Sequence, residues 1–238
     1  MAKTISVATA NGEMPARWAE PDGPARGGVL VVQEAFGLTD HIRDLCDRLA
    51  AAGWSAIAPA LFHSQGAPTF AYDDFDHILP VMKELTAEGI TADVEAALDH
   101  LAGLGIASAH TAVVGFCMGG TVALFTGTRR PLGAAVSFYG GGVIEGRFGL
   151  PSLVDLAPAL KTPWLGLYGD LDHGILPVQV EALREAAHTA AVATQVVRYD
   201  DADHGFNNDA RPAVFHEEHA ADAWQRMLDW LAEHAGTG

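Results

Sequence analysis

The segment Thr111-Ala112-Val113-Val114-Gly115-Phe116-Cys117-Met118-Gly119-Gly120-Thr121-Val122-Ala123-Leu124 joins an apolar run, the pattern G-x-C-x-G and a second apolar run. Where a strand turns at once into a helix, the corner residue is held in a strained conformation and its neighbours must be small. Gly115, Gly119 and Gly120 meet that demand. A cysteine at such a corner sits at a helix N-terminus, where free N–H groups and the helix dipole favour thiolate over thiol. The pattern reads as a nucleophile elbow with sulfur in place of hydroxyl, and the Met118 N–H would face an oxyanion. An isolated cysteine after a strand is more often a small buried hydrophobe. The glycine spacing is what points to chemistry.

A nucleophile of this kind needs a base, and the base needs an orienting acid. Trp164-Leu165-Gly166-Leu167-Tyr168-Gly169-Asp170-Leu171-Asp172-His173 is a strand that ends in acids, and Val196-Val197-Arg198-Tyr199 is a strand whose following loop ends in His204-Gly205-Phe206. The order nucleophile, acid, histidine is the one this kind of turn requires. Asp172 is preferred to Asp170 because it lies farther out in the loop, and His173 is too close to Asp172 in the chain to face it. Glu34 follows the apolar run Gly28-Val29-Leu30-Val31-Val32-Gln33. A carboxylate there is costly to desolvate unless it has a partner, and the Cys117 thiol is one candidate; a solvated loop glutamate is the other reading. The Ala35 N–H could supply a second oxyanion donor.

The elements that must position these residues alternate. β-branched runs predict strands over 5–8, 14–19, 28–33, 55–58, 111–115, 134–139, 164–168 and 194–199. Helical spacing predicts helices over 40–52, 92–104 and 213–234, with another after Cys117. This alternation implies an α/β fold, a mostly parallel central sheet with helices on both faces. Asn11-Gly12 is a hairpin signal that makes the first two strands an antiparallel edge. Each candidate residue then lies just past the C-terminal end of a strand, where open α/β sheets bind ligands. Cys46 falls on the buried stripe of its helix. The irregular stretch 60–74 is a candidate lid.

Composition bounds the rest. The chain has 238 residues with an apolar fraction of 49% and 18% charged residues, which suits one domain over 1–238. The ends are expected to be ragged at 1–3 and 236–238. A formal charge of −16 repels nucleic acid and anionic membrane, so neither is an expected partner. No window approaches a membrane span and the opening residues lack the apolar stretch of a signal peptide, so the expected address is cytoplasmic. Cys46 and Cys117 are both read as free thiols.

Four motifs together, Gln33-Glu34-Ala35-Phe36-Gly37, Gly115-Phe116-Cys117-Met118-Gly119-Gly120, Gly169-Asp170-Leu171-Asp172 and His204-Gly205-Phe206, resemble the dienelactone hydrolase family. The resemblance spans nearly the whole chain and implies an α/β-hydrolase fold, no cofactor, and a small-molecule ester or lactone substrate. It implies a Cys-His-Asp triad of Cys117, His204 and Asp172, with Glu34 holding the resting thiol and Ala35 and Met118 donating to the oxyanion. The family's type reaction is hydrolysis of a dienelactone to maleylacetate. Its type enzymes carry an arginine four residues after the histidine to bind the substrate carboxylate. This chain has Asn208 there, and 60–82 holds His63 and His77 but no arginine or lysine. The expectation is therefore weak recognition of a carboxylate.

Other readings share the same residues. The enzyme could be a thioesterase or general carboxylesterase of the same fold, or the fold could serve as a non-catalytic binding protein. His216-Glu217-Glu218-His219 raises a metal hydrolase, but the spacing is not H-E-x-x-H, no third ligand is evident, and an exposed helix face explains the group. No metal is expected. The sequence does not speak to oligomeric state.

Overall fold

A computed structural model describes residues 2–237. Eight strands form one sheet: β1 (Lys3–Thr9), β2 (Gly12–Ala19), β3 (Gly28–Val32), β4 (Ser55–Pro59), β5 (Thr111–Phe116), β6 (Ala134–Phe138), β7 (Trp164–Gly169) and β8 (Thr194–Tyr199). The helices are α1 (Asp40–Ala51), α2 (Phe75–Lys83), α3 (Ala87–Gly103), α4 (Met118–Arg129), α5 (Leu153–Leu156), α6 (Pro177–His188) and α7 (Glu217–His234). Strand order is β1-β2-β4-β3-β5-β6-β7-β8. The β1–β2 and β2–β4 pairs are antiparallel and all the others parallel. Thr9 pairs with Gly12 across the expected hairpin, where Gly12 has φ +113°.

The central strands are buried on both faces, which is why they read as continuous apolar runs. Successive side chains alternate between two cores. In β3, Leu30 and Val32 join the core under α3, α4 and α6, while Val29 and Val31 join the one under α1 and α7. Helix α1 supplies Ile42, Leu45, Cys46 and Leu49 to the second core, the stripe expected from its spacing.

Several boundaries differ from expectation. Helix α3 starts at Ala87, not 92, because Thr86 caps it by accepting from the Gly89 N–H at 3.0 Å. Helix α7 starts at Glu217, not 213, since His216 occupies the cap position and the residues before it form turns. Strand β6 stops at Phe138, and Tyr139 turns out of the sheet with φ +41°. Helices α2 and α6 were not anticipated. The ends are also better held than expected: Lys3 pairs with Trp18, and the Thr237 N–H donates to the Arg26 carbonyl at 2.8 Å. Met1 and Gly238 lie outside the described residues. No helix among those described is long and apolar enough to cross a membrane.

The stretch 60–74 is irregular, with a short 3₁₀ turn at His63–Gln65, and leads into α2. It packs on the loop after β3. The Phe70 N–H donates to the Phe36 carbonyl at 3.0 Å, and a Cβ on Gly37 would lie 2.3 Å from the Pro68 carbonyl oxygen. Ala35, Phe36 and Ile78 form a small third core there.

Candidate active site

The corner after β5 is as tight as its glycines suggest. A Cβ on Gly115 would sit 1.8 Å from the Gly119 carbonyl oxygen, and one on Gly119 would sit 2.2 Å from that of Val32. Helix α4 thus starts in backbone contact with the ends of β5 and β3. Cys117 absorbs the turn with φ +54° and ψ −114°, a region that costs a non-glycine residue about 1–3 kcal/mol. Its N–H donates to the Phe138 carbonyl at 3.0 Å, which pins the corner to β6. Met118 opens α4, so its N–H has no carbonyl of a preceding turn to reach. Ala35 is likewise without a hydrogen bond from its N–H among the described residues.

Asp172 is fixed by its own loop. Oδ1 accepts from the N–H groups of Gly174 at 2.7 Å and Ile175 at 3.0 Å, and Oδ2 lies 2.6 Å from Nδ1 of His204. As a carboxylate, Asp172 can only accept, so Nδ1 of the imidazole carries a proton and donates it, which leaves Nε2 as the nitrogen free to exchange a proton. Asp170 faces away and pairs with Arg198 through two contacts of 2.6 and 2.7 Å. The structure thus places Asp172, and not Asp170, beside His204. Burial disfavours charge on His204, but the Cys117 sulfur and the Asp172 carboxylate beside it outweigh that and hold its pKa well above the ordinary imidazole value.

Cys117, Met118, Asp172 and His204 line one cavity of about 300 Å³, closed on one side by Met82 of α2. His173 is an exposed loop residue on its rim. Arg147 also lines the cavity, and among the described residues no carboxylate pairs with it. The sequence offers Arg147, with a lid histidine, only as an alternative cation for a substrate carboxylate, since it stands apart from every motif in the long connection after β6.

Glu34 lies behind the cavity rather than in its wall. It is 1% exposed, and its partner is not the thiol but Asn208, whose Nδ2 donates to Oε2 at 2.8 Å. Oε1 is buried without a partner, as is the hydroxyl of Tyr139, whose ring packs 5.1 Å from that of His204. Desolvation raises the Glu34 pKa against the opposing pull of His41, Arg211 and His204. Asn208 is fully buried. It does not point at substrate in place of an arginine; it holds Glu34. Sequence reasoning missed this link, since 174 positions separate the pair. It also missed Gln33, whose side chain accepts from the Leu61 N–H at 3.0 Å and donates to the Glu34 carbonyl at 3.2 Å, joining the 60–74 stretch to the Glu34 loop.

Two residues of the His216–His219 group do have a third companion. Asp201, in the loop between β8 and His204, meets both imidazoles. This cluster is on the surface, and none of its members lines the cavity.

The comparisons with known proteins place the chain by family and by fold. The sequence matches the dienelactone hydrolase family over residues 14–235. The chain belongs to that family. A Salmonella typhimurium protein provisionally named a carboxymethylenebutenolidase is 40% identical over 97% of this chain and 87% of its own length. One of Yersinia pestis with the same name is 41% identical over 93% and 84%. The crystal structure of a protein of Klebsiella pneumoniae provisionally described as a dienelactone hydrolase superimposes with a TM-score of 0.88, at 41% identity and 98% coverage of both chains. The protein is a dienelactone hydrolase-like hydrolase with the α/β-hydrolase fold.

A buried carboxyl with a raised pKa gives stability that is complete below its unfolded pKa and is lost as pH rises through the folded value. Glu34→Gln removes that titration while keeping an acceptor for Asn208. The variant is expected to match the parent in urea midpoint near pH 4 and to exceed it at pH 8. A difference that does not change between the two pH values would contradict the burial account of Glu34.

Proposed function

We propose that this dienelactone hydrolase family member cleaves a carboxylic ester or lactone through a covalent acyl-enzyme on Cys117, with His204 as general base and acid and Asp172 as its orienting partner. The observation that carries the reading is the convergence of a strained cysteine, a helix N-terminus and a carboxylate-held imidazole on one cavity. The relatives provisionally named carboxymethylenebutenolidases support the substrate class.

In this reading the Cys117 sulfur attacks the carbonyl carbon as thiolate, its proton having passed to His204. The oxyanion is met by the N–H groups of Met118 and Ala35. The intermediate collapses, the C–O bond breaks, and His204 returns a proton to the leaving alkoxide. Water activated by His204 then attacks the thioester, releases the acid and regenerates the thiol. In a lactone the alkoxide stays attached to the acyl group, so one product carries both ends. Every step uses groups of this chain.

The cavity also bears on the form of the substrate. Asn208 cannot serve a substrate carboxylate, being committed to Glu34. Arg147 can, as a guanidinium in the cavity wall without an acidic partner among the described residues. An anionic group on the acyl or leaving side is therefore part of the proposal, a change from the expectation drawn from Asn208 and the cation-free 60–82 segment.

Cys117→Ala is expected to abolish hydrolysis of aryl esters and lactones with the fold intact. Cys46→Ala should keep most activity, because Cys46 is fully buried in the core under α1 and burial pushes its thiol pKa up. His204→Ala and Asp172→Asn should each lose about 10²–10⁴-fold in kcat/KM. Comparable losses in Cys46→Ala and Cys117→Ala, both folded, would defeat the assignment.

A lactone bearing a free carboxylate should be preferred to its neutral methyl ester, and Arg147→Met should cut that preference about ten- to a hundred-fold, the worth of a hydrogen bond to a charged group. An unchanged preference in Arg147→Met would remove Arg147 from the substrate site.

A further inference from the structure

Outside the cavity, the largest unexplained convergence of metal-ligating side chains among the described residues is Asp201, His216 and His219. The geometry points to a binding site for one late first-row divalent cation of the zinc type, held by an Asp201 carboxylate oxygen and the Nε2 atoms of His216 and His219, which fastens the His204 loop to the start of α7. It does not rest on the proposed reaction, and the ion touches no reacting atom.

The three donor atoms lie within 4.8 Å of one another. Ligands of a tetrahedral zinc, at about 2.0–2.2 Å from the ion, stand roughly 3.4 Å apart. The His216 Nε2–Asp201 Oδ2 separation is 3.4 Å, while His219 Nε2 is in direct contact with Oδ1. The two imidazoles stack at 4.0 Å with an interplanar angle of 19°, so both present the same edge to one carboxylate. Two imidazole nitrogens and a carboxylate oxygen are a donor set that zinc accepts, with its remaining position left to water. The side chains are 31%, 19% and 62% exposed for His216, His219 and Asp201, so an ion from solution can enter.

Three further features bear on the energetics. The N-terminus of α7 opposes a cation, but Glu217 and Glu218 in its first turn offset that, and the chain's formal charge of −16 attracts cations generally. Without an ion, Nδ1 of His216 accepts from the His219 N–H at 3.4 Å, which leaves the ring proton on Nε2. Coordination moves that proton to Nδ1 and gives up this long contact together with the two imidazole–Asp201 contacts, which bonds to the ion replace. Finally, Asp201 stands three residues before His204, and the His216 N–H donates to the Phe206 carbonyl at 3.0 Å. An ion here would close the ring between the loop of the histidine and the helix that follows it.

The test uses the full chain carrying Cys117→Ala, so that the cavity thiol does not compete for metal. Zinc titrated by calorimetry should bind one ion per chain in the micromolar range and raise Tm, and cobalt should give the visible absorption of a low-coordinate nitrogen–oxygen site. His219→Gln and Asp201→Asn, both surface changes, should each weaken binding at least about tenfold and abolish the Tm shift, whereas His77→Gln should leave both unchanged. No zinc binding up to millimolar concentration would overturn the site. So would one-to-one binding that His219→Gln and Asp201→Asn leave intact, since the ion would then sit elsewhere, such as at His204 and Asp172.

Discussion

The closest constraint in the molecule is the seating of α4 against the sheet. With Gly119 within side-chain distance of the Val32 carbonyl and Gly115 within that of the Gly119 carbonyl, the helix has one place to begin. The strand cannot relax into it, so Cys117 takes a conformation that β and helical residues both avoid. The cost, about 1–3 kcal/mol, is met by the buried runs of β3, β5 and β6 on either side. From this one contact follow the outward sulfur, the free N–H of Met118 at the helix start, and the nearness of the Glu34 loop, which leaves β3 where α4 touches it.

Charge around that corner is arranged in two layers. The outer layer is the His204–Asp172 pair, in which Asp172 is held by two backbone N–H groups and so presents a fixed oxygen to the imidazole. The inner layer is Glu34, buried with one amide donor from Asn208 and an unpartnered second oxygen. A carboxyl with so little solvation resists ionisation, and the positive groups near it work against that resistance. Asn208 is thus spent on a carboxylate of the protein's own, which keeps it from meeting one on a substrate.

What the sequence disclosed depended on whether the information was local. All eight strands were readable: the central ones as short apolar runs buried on both faces, the first two from the hairpin that joins them, and β8 as the run Val196-Val197 at the opposite edge. The order of Cys117, Asp172 and His204 was readable because each ends or follows a strand. Helix α6 escaped because Val180, Leu183 and Ala187 form a sparse stripe among Glu181, Arg184 and Glu185. Helix α2 escaped because Pro80 and the acids at 73, 74 and 76 read as loop. Asn208 with Glu34, Arg147 with the cavity, and Asp201 with His216 and His219 are contacts across distant segments, and no spacing rule reports them. Position in a motif was a misleading guide for Asn208, whose neighbours in space rather than in sequence decide its role.

The central claim is that the acyl group passes through the sulfur of Cys117. It is tested most directly by stopping turnover of an activated aryl ester in acid and weighing the intact protein and its peptides. The account predicts a mass increase of one acyl group, lost on treatment with hydroxylamine, on the peptide that contains Cys117. An acyl group on any other residue, or undiminished turnover after that sulfur has been fully alkylated, would contradict it.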